Sequence, residues 1–204
     1  MLLFVGLGNP GATYARHRHN FGFMAVGAVA RAQKAERWRE KFHAAITEAS
    51  PGGVRALLML PQTFMNDSGR AVQDAMRFYK IELAEVIVFH DELDLAPGKL
   101  RVKLGGGNAG HNGLRSITAH CGNDYKRVRL GIGHPGDKDL VYPYVLSDFR
   151  KDEVPWVEDM CRAIGAQAPL LAVGEDASFQ NKVHLAMQAA GWGKKDKNDE
   201  PEND

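Results

Sequence analysis

Leu2-Leu3-Phe4-Val5-Gly6-Leu7-Gly8-Asn9-Pro10-Gly11, continued by Ala12 to Asn20 as ATYARHRHN, decides the fold of this chain. An unbroken apolar run reads as a strand buried on both faces, and the glycines after it as the turn that ends it. Helical spacing begins immediately afterwards. A strand that ends in a glycine turn carries its next polar side chains to the mouth of a sheet, where α/β proteins bind ligands. Asn9, Tyr14, His19 and Asn20 are therefore candidate site residues.

Outward from this stretch the pattern alternates. Phe21, Met24, Ala25, Ala28, Val29 and Ala32 recur at three- and four-residue steps, which predicts a helix over 21–35. Phe42 to Ala49 and Val54 to Leu60 are apolar segments joined by Ser50-Pro51-Gly52-Gly53, a hairpin or meander signal. Asp67-Ser68 is a capping pair for a helix that runs to about Tyr79. Glu85 to His90 reads as another buried strand ending at Asp91-Glu92, and Lys99 to Leu104 as an alternating one. Gly105 to Gly110 cannot hold regular structure and leads into a helix over 114–121. In Lys126 to Ile132, Val128, Leu130 and Ile132 face one way, with Lys126, Arg127 and Arg129 assigned to the other. Two helices follow, over 152–173 and 177–190, and Pro169 is expected to kink or break the first. The expectation is an α/β fold: a single domain over 1–193, with a mixed, twisted β-sheet flanked by helices on both faces. Residues 194–204, polar and charged, are expected to form a disordered tail.

Bulk properties narrow the function classes. With 44% apolar residues over 204 positions, the chain can bury one good core. It has no apolar run long enough to cross a membrane and no secretory pattern at its start, and its two cysteines fit no disulfide framework. A cytoplasmic location is the expectation. The net charge is +1, too small for global attraction to a polyanion, so any such contact needs a local basic patch.

Polar clusters follow the strands. Asn9 comes after the first, Asn66 in the loop after the strand ending at Leu60, Asp91 at the end of the Val86 to Phe89 run, and His111-Asn112 after the glycine loop. If the strands before Asn9, Asn66 and Asp91 run parallel, these side chains meet at one edge of the sheet. An imidazole oriented by a carboxylate takes a proton from water, and carboxamides hold that water and donate to a developing oxyanion. The set suits hydrolysis by an activated water without a covalent intermediate.

Other readings compete. Gly6-x-Gly8-x-x-Gly11 has the spelling of a dinucleotide fingerprint, but Pro10 sits between the glycines. No acidic residue ends a second strand about twenty positions on. His17 and His19 lack companions at metal-site spacing. Taken singly, Asp91 reads as a turn residue and Asn66 as a helix cap. His90, His120 and His184 read as ordinary structural or surface histidines.

Together, these clusters resemble bacterial-type peptidyl-tRNA hydrolase over about residues 1–190. The matching residues are Gly6-Leu-Gly-Asn-Pro-Gly11, Tyr14, Arg18-His-Asn20, Gly22, Pro61 to Asn66 with Ser68-Gly69, His90-Asp-Glu-Leu-Asp94, Pro97-Gly98, Gly105-Gly-Gly107, Gly110 to Leu114, and Arg129 with Gly131 to Gly136. His17 departs from the family, which more often has Thr or Arg there, and it adjoins His19. The resemblance implies cleavage of the ester between a peptide and the tRNA terminal ribose, recycling tRNA from aborted translation. It implies that His19 is the general base, that Asp91 orients it, that Asn9 and Asn66 position water and substrate, and that Asn112 holds the peptide carbonyl. Tyr14, Phe64, Met65, Gly110, His111 and Gly113 would contact substrate. Lys103 and Arg129 match positions that grip the tRNA 5′ phosphate, Lys138 adds a further phosphate contact, and Lys126 and Arg127 would broaden the patch. A monomer acting on peptidyl-tRNA, with no cofactor, no metal and no membrane, is the expectation. The rival is a non-catalytic RNA-binding, splicing-factor-like protein on the same scaffold.

Overall fold

The structure, a computed structural model, describes residues 1–193. The expected tail over 194–204 lies outside the described residues. Seven strands form one mixed sheet: β1 (Leu2–Gly6), β2 (Arg39–Lys41), β3 (Ala44–Ala49), β4 (Ala56–Pro61), β5 (Val86–Glu92), β6 (Leu100–Leu104) and β7 (Lys126–Gly131), in the order β2-β3-β4-β1-β5-β7-β6. Among the described residues six α-helices accompany them: α1 (Phe21–Ala32), α2 (Ser68–Tyr79), α3 (Asn112–Cys121), α4 (Val141–Val145), α5 (Val154–Ala172) and α6 (Asp176–Ala189).

The central strands β4, β1, β5 and β7 run parallel, while β2, β3 and β6 extend the sheet antiparallel at its flanks. Burial explains the pattern. β1, β4 and β5 are covered on both faces, so an unbroken apolar run satisfies both sides of the pleat. One face packs Phe4, Ile87, Phe89 and Val128 under α1, α5 and α6. The other packs Leu3, Val5, Val86 and Val88 under α2 and α3. The carboxyl ends of β1, β4 and β5 therefore open on one edge, as the candidate residues require.

The crossing of α1 over β1 depends on glycine. A Cβ on Gly22 would stand 2.2 Å from the Phe89 carbonyl oxygen and 2.4 Å from the Leu7 nitrogen. This approach draws the Arg18–Asn20 turn, and His19 with it, against the end of β5. The glycine turn after β1 leads into short 3-10 turns at Ala12–Tyr14 and Arg18–Asn20, and α1 begins only at Phe21. The pyrophosphate cradle of a dinucleotide fold, a helix N-terminus at the glycines, is therefore lacking there.

Some local expectations are corrected. Asp67 and Ser68 make no side-chain cap; a 3-10 turn at Met65–Asp67 precedes α2, and the Ser68 hydroxyl donates to the Met65 carbonyl at 2.9 Å. Helix α5 is not broken at Pro169, which falls in its last turn; the ring removes one N–H bond there, and only three helical residues follow it. Lys126 shares the pleat face of Val128 and is paired with Asp176 of α6 at 2.7 Å, because only alternate strand residues share a side. Strand β2 and helix α4 carry no clear periodicity and are additions from the structure. Among the described residues no helix is long and apolar enough to cross a membrane.

Candidate active site

Asp91 ends β5 as a buried carboxylate, and two imidazoles converge on it. Nδ1 of His19 stands 3.0 Å from each carboxylate oxygen, and Nε2 of His111 stands 2.9 Å from Oδ1. A carboxylate only accepts, so each of these nitrogens carries the proton. The consequence differs for the two rings. Nδ1 of His111 accepts from the Gly113 and Leu114 N–H groups at the head of α3, at 3.2 and 3.4 Å. His111 is thus fixed as a neutral imidazole with both nitrogens engaged. Nε2 of His19 has no partner among the described residues and is not among the buried unpaired atoms, so it keeps a lone pair open to solvent.

The titration behaviour follows. Burial works against a charge on His19, but the Asp91 carboxylate and its hydrogen bond outweigh burial and raise the imidazole pKa above 6.5. Burial would raise Asp91; the two imidazoles reverse that and hold it well below the usual carboxylate range. Burial dominates at His111, whose pKa is lowered despite Asp91. His90, on the opposite pleat face, donates from Nδ1 to the Asp91 carbonyl at 2.8 Å, leaving Nε2 buried and unpaired. Burial and the neighbouring His111 push its pKa down to about 3.

A cleft of about 820 Å³ opens over this cluster. Asn9 is set into its floor by three bonds. Its side-chain Oδ1 accepts from the Met65 N–H at 2.8 Å, while Asn20 accepts from its backbone N–H and donates to its carbonyl, both at 2.9 Å. The Asn9 amide NH2 is left for the cleft. Asn66 and Asn112 are exposed on its walls, with no side-chain hydrogen bonds to described residues. Phe64, 61% exposed, and Tyr14 meet edge to face at 6.4 Å beside them. Tyr142 of α4, 71% exposed, lines the far wall.

The family model described as peptidyl-tRNA hydrolase matches residues 3–191. The chain belongs to the peptidyl-tRNA hydrolase family. It is 70% identical over 192 residues to a peptidyl-tRNA hydrolase of Methylorubrum extorquens strain PA1, covering 94% of this chain and 91% of that one. To the peptidyl-tRNA hydrolase of Beijerinckia indica subsp. indica it is 60% identical over 194 residues, 95% and 98% of the two chains. Among solved structures it is similar to peptidyl-tRNA hydrolase from Acinetobacter baumannii, with a TM-score of 0.84 and 38% identity over 90% of this chain and 94% of that one. Membership places the chain among the hydrolases.

In this member of the peptidyl-tRNA hydrolase family a second hollow of about 300 Å³ lies behind the glycine loop, lined by Lys103, Arg127 and Arg129 with Glu92 and Asp94. Lys103 is exposed, whereas Nε of Arg129 donates to the Glu92 carboxylate at 2.9 Å. Burial would raise Glu92, but the Asp94 N–H and Arg129 hold it low and charged. The expected broader patch is narrowed here: Arg127 backs the hollow but is buried with its guanidinium spent on loop carbonyls, and Lys126 faces α6. Lys138 stands on the wall of the main cleft, apart from this hollow. Gly113 does not line the cleft. A Cβ there would stand 2.6 Å from Met65 Sδ and 2.8 Å from Leu7, so it is a packing glycine.

His19, Asp91 and His111 also offer three ligand atoms within 4.8 Å of one another. Their spacing is that of hydrogen bonds, and a metal would need both nitrogens stripped of the protons those bonds require. The donor set fits a proton relay better than an ion. His90 and Arg18 are neighbours of the site whose contacts the sequence undersold. Arg18 is buried, donates to Glu153, to the Ser147 hydroxyl and to the Asp148 carbonyl, and lies 4.3 Å over the Tyr144 ring. It ties the turn holding His19 to α4 and to the head of α5. In the sequence it stood out only as a cation beside the candidate base and as part of the Arg18-His-Asn20 match, with no sign of these partners.

Proposed function

We propose that this protein hydrolyses the ester that joins a peptide to the terminal ribose of tRNA, releasing tRNA for reuse. Its site uses His19 as general base. The observation that carries the reading is the His19–Asp91 pair, which fixes the Nδ1–H tautomer and leaves the Nε2 lone pair facing the cleft. Nε2 takes a proton from water as the water oxygen attacks the acyl carbon. The Asn9 amide and Asn66 hold that water and the ribose, and Asn112 donates to the carbonyl oxygen as it gains charge. Collapse of the tetrahedral intermediate breaks the acyl–oxygen bond, and the imidazolium returns its proton to the ribose oxygen. A carboxylic acid and a free ribose hydroxyl result.

Magnitudes support this assignment. An aminoacyl ester is an activated acyl group, so modest catalysis suffices. A placed base contributes about two to four orders of magnitude, and an oxyanion donor about two to three. Tyr14, Phe64, Met65, Gly110 and His111 form the surroundings of the peptide and terminal nucleotide. Lys103 and Arg129 meet the 5′ phosphate in the basic hollow, with Lys138 reaching a phosphate from the cleft wall. Working as a monomer in the cytoplasm accords with this reading. The test is turnover of N-acetyl-aminoacyl-tRNA, with chelator present, beside the same tRNA with a free α-amine. Release from the blocked substrate is expected. Tight tRNA binding without release would replace the hydrolase with a non-catalytic RNA-binding protein.

A further inference from the structure

Arg127 is 2% exposed, projects from β7 beneath the glycine loop, and makes no ion pair with any described residue. Neutral oxygens surround it instead. Nη1 donates to the Gly107 carbonyl at 2.8 Å, and Nη2 to the Gly106 carbonyl at 3.0 Å, to Asn123 Oδ1 at 2.6 Å and to Asn108 Oδ1 at 3.3 Å. Its guanidinium rests 4.8 Å from the Tyr125 ring centre. A buried charge held by uncharged acceptors is costly to maintain, and a planar fork gripping several of them fixes their geometry. The gripped segment cannot fix itself: Gly105, Gly106, Ala109 and Gly110 all have positive φ, and Gly107 is open to solvent.

The loop is also the link to the chemistry. Asn108, whose side chain Arg127 holds, accepts from the His111 N–H through its carbonyl at 2.8 Å and from the Thr118 hydroxyl of α3 through Oδ1 at 3.3 Å. His111 in turn caps α3, bonds Asp91, and is followed directly by Asn112. We propose that Arg127 is a positioning residue for the reaction: by clamping the glycine loop to β7, it sets Asn112 where the scissile carbonyl arrives. This rests on the role given to Asn112 above.

The test is steady-state kinetics on N-acetyl-aminoacyl-tRNA for Arg127→Gln, Asn112→Ala and the double variant, with Arg127→Lys and Asn123→Ala as milder losses of the same clamp. Arg127→Gln is expected to lower kcat by about ten- to a hundredfold, the cost of a small misplacement, with KM within about twofold. Arg127→Lys should recover part of the loss. In the Asn112→Ala background the same substitution should have little further effect on kcat, because both remove one interaction. Multiplicative losses in the double variant would overturn the proposal, leaving Arg127 a general support of the fold. A raised KM with a shallower salt dependence would overturn it too, making Arg127 a phosphate contact. If Arg127→Gln does not fold, Asn123→Ala carries the test, and unchanged kcat there counts against the clamp. Should Asn112→Ala alone leave kcat intact, the reading of Asn112 fails; if it slows turnover while no clamp variant does, only the present inference fails.

Discussion

His19 Nδ1 lies 3.0 Å from both oxygens of Asp91, and this symmetric bond decides both the tautomer and the charge of the ring. The base must be neutral to act, while Asp91 raises its pKa above 6.5. kcat/KM should therefore rise with pH through a midpoint above 6.5. In Asp91→Asn the opposing influence of burial takes over, and the midpoint should fall below the wild-type value. The maximum should fall as well, though less than on removing the ring. A pH–rate profile of both proteins checks this; coincident midpoints would detach Asp91 from the base.

The same shifts bear on stability. Asp91 has a lowered folded pKa, so its contribution is present above the unfolded value of 3.8 and is lost as pH falls below it. His19 has a raised folded pKa, so its contribution is full below 6.5 and disappears as pH rises through the higher folded value. Denaturant melts should show wild type weakening on both sides of this interval and Asp91→Asn varying less. Parallel curves for the two proteins would contradict the assignment.

Lys103 stands exposed in the basic hollow, free of ion pairs with described residues, whereas Arg129 is shared with Glu92. Lys103→Ala should weaken tRNA binding and reduce the salt slope by about one unit or slightly less, with kcat at saturation nearly unchanged. Binding titrations at several salt concentrations measure it. An unaltered slope would show that Lys103 meets no phosphate.

Arg18 and Glu153 form a buried pair at the joint of three elements. Arg18→Met leaves the buried Glu153 charge only the Arg150 N–H at 2.7 Å and the Arg150 guanidinium at 3.9 Å, and should cost about 3 kcal/mol of stability. Arg18→Met combined with Glu153→Leu should recover most of it. Urea midpoints decide; a cost below about 1 kcal/mol would mean solvent reaches Glu153.

Much of this was legible from the sequence because the central strands are buried on both faces, and such strands write themselves as apolar runs. Asn9, Asn66 and Asp91 followed those runs, so a parallel sheet had to gather them. Strand polarity was not legible in the charged segment Lys126 to Arg129, where tertiary partners rather than period determine which cation is free. Asp176 and the loop carbonyls lie fifty and about twenty residues away in sequence from the residues they engage. His90 looked like an ordinary histidine, and His111 like a substrate contact rather than a partner of Asp91, for a related reason: their roles depend on which nitrogen bonds what, a property of packing. Helix α4 was missed because five residues around a proline show no period, although it walls the cleft.

The most direct test of the central claim is single-turnover hydrolysis of N-acetyl-aminoacyl-tRNA by His19→Ala, with tRNA affinity measured on the same preparation. A rate reduced by about two to four orders of magnitude or more, at nearly unchanged affinity, is the predicted result. A rate close to wild type would contradict it, because the water would then be deprotonated by some other group.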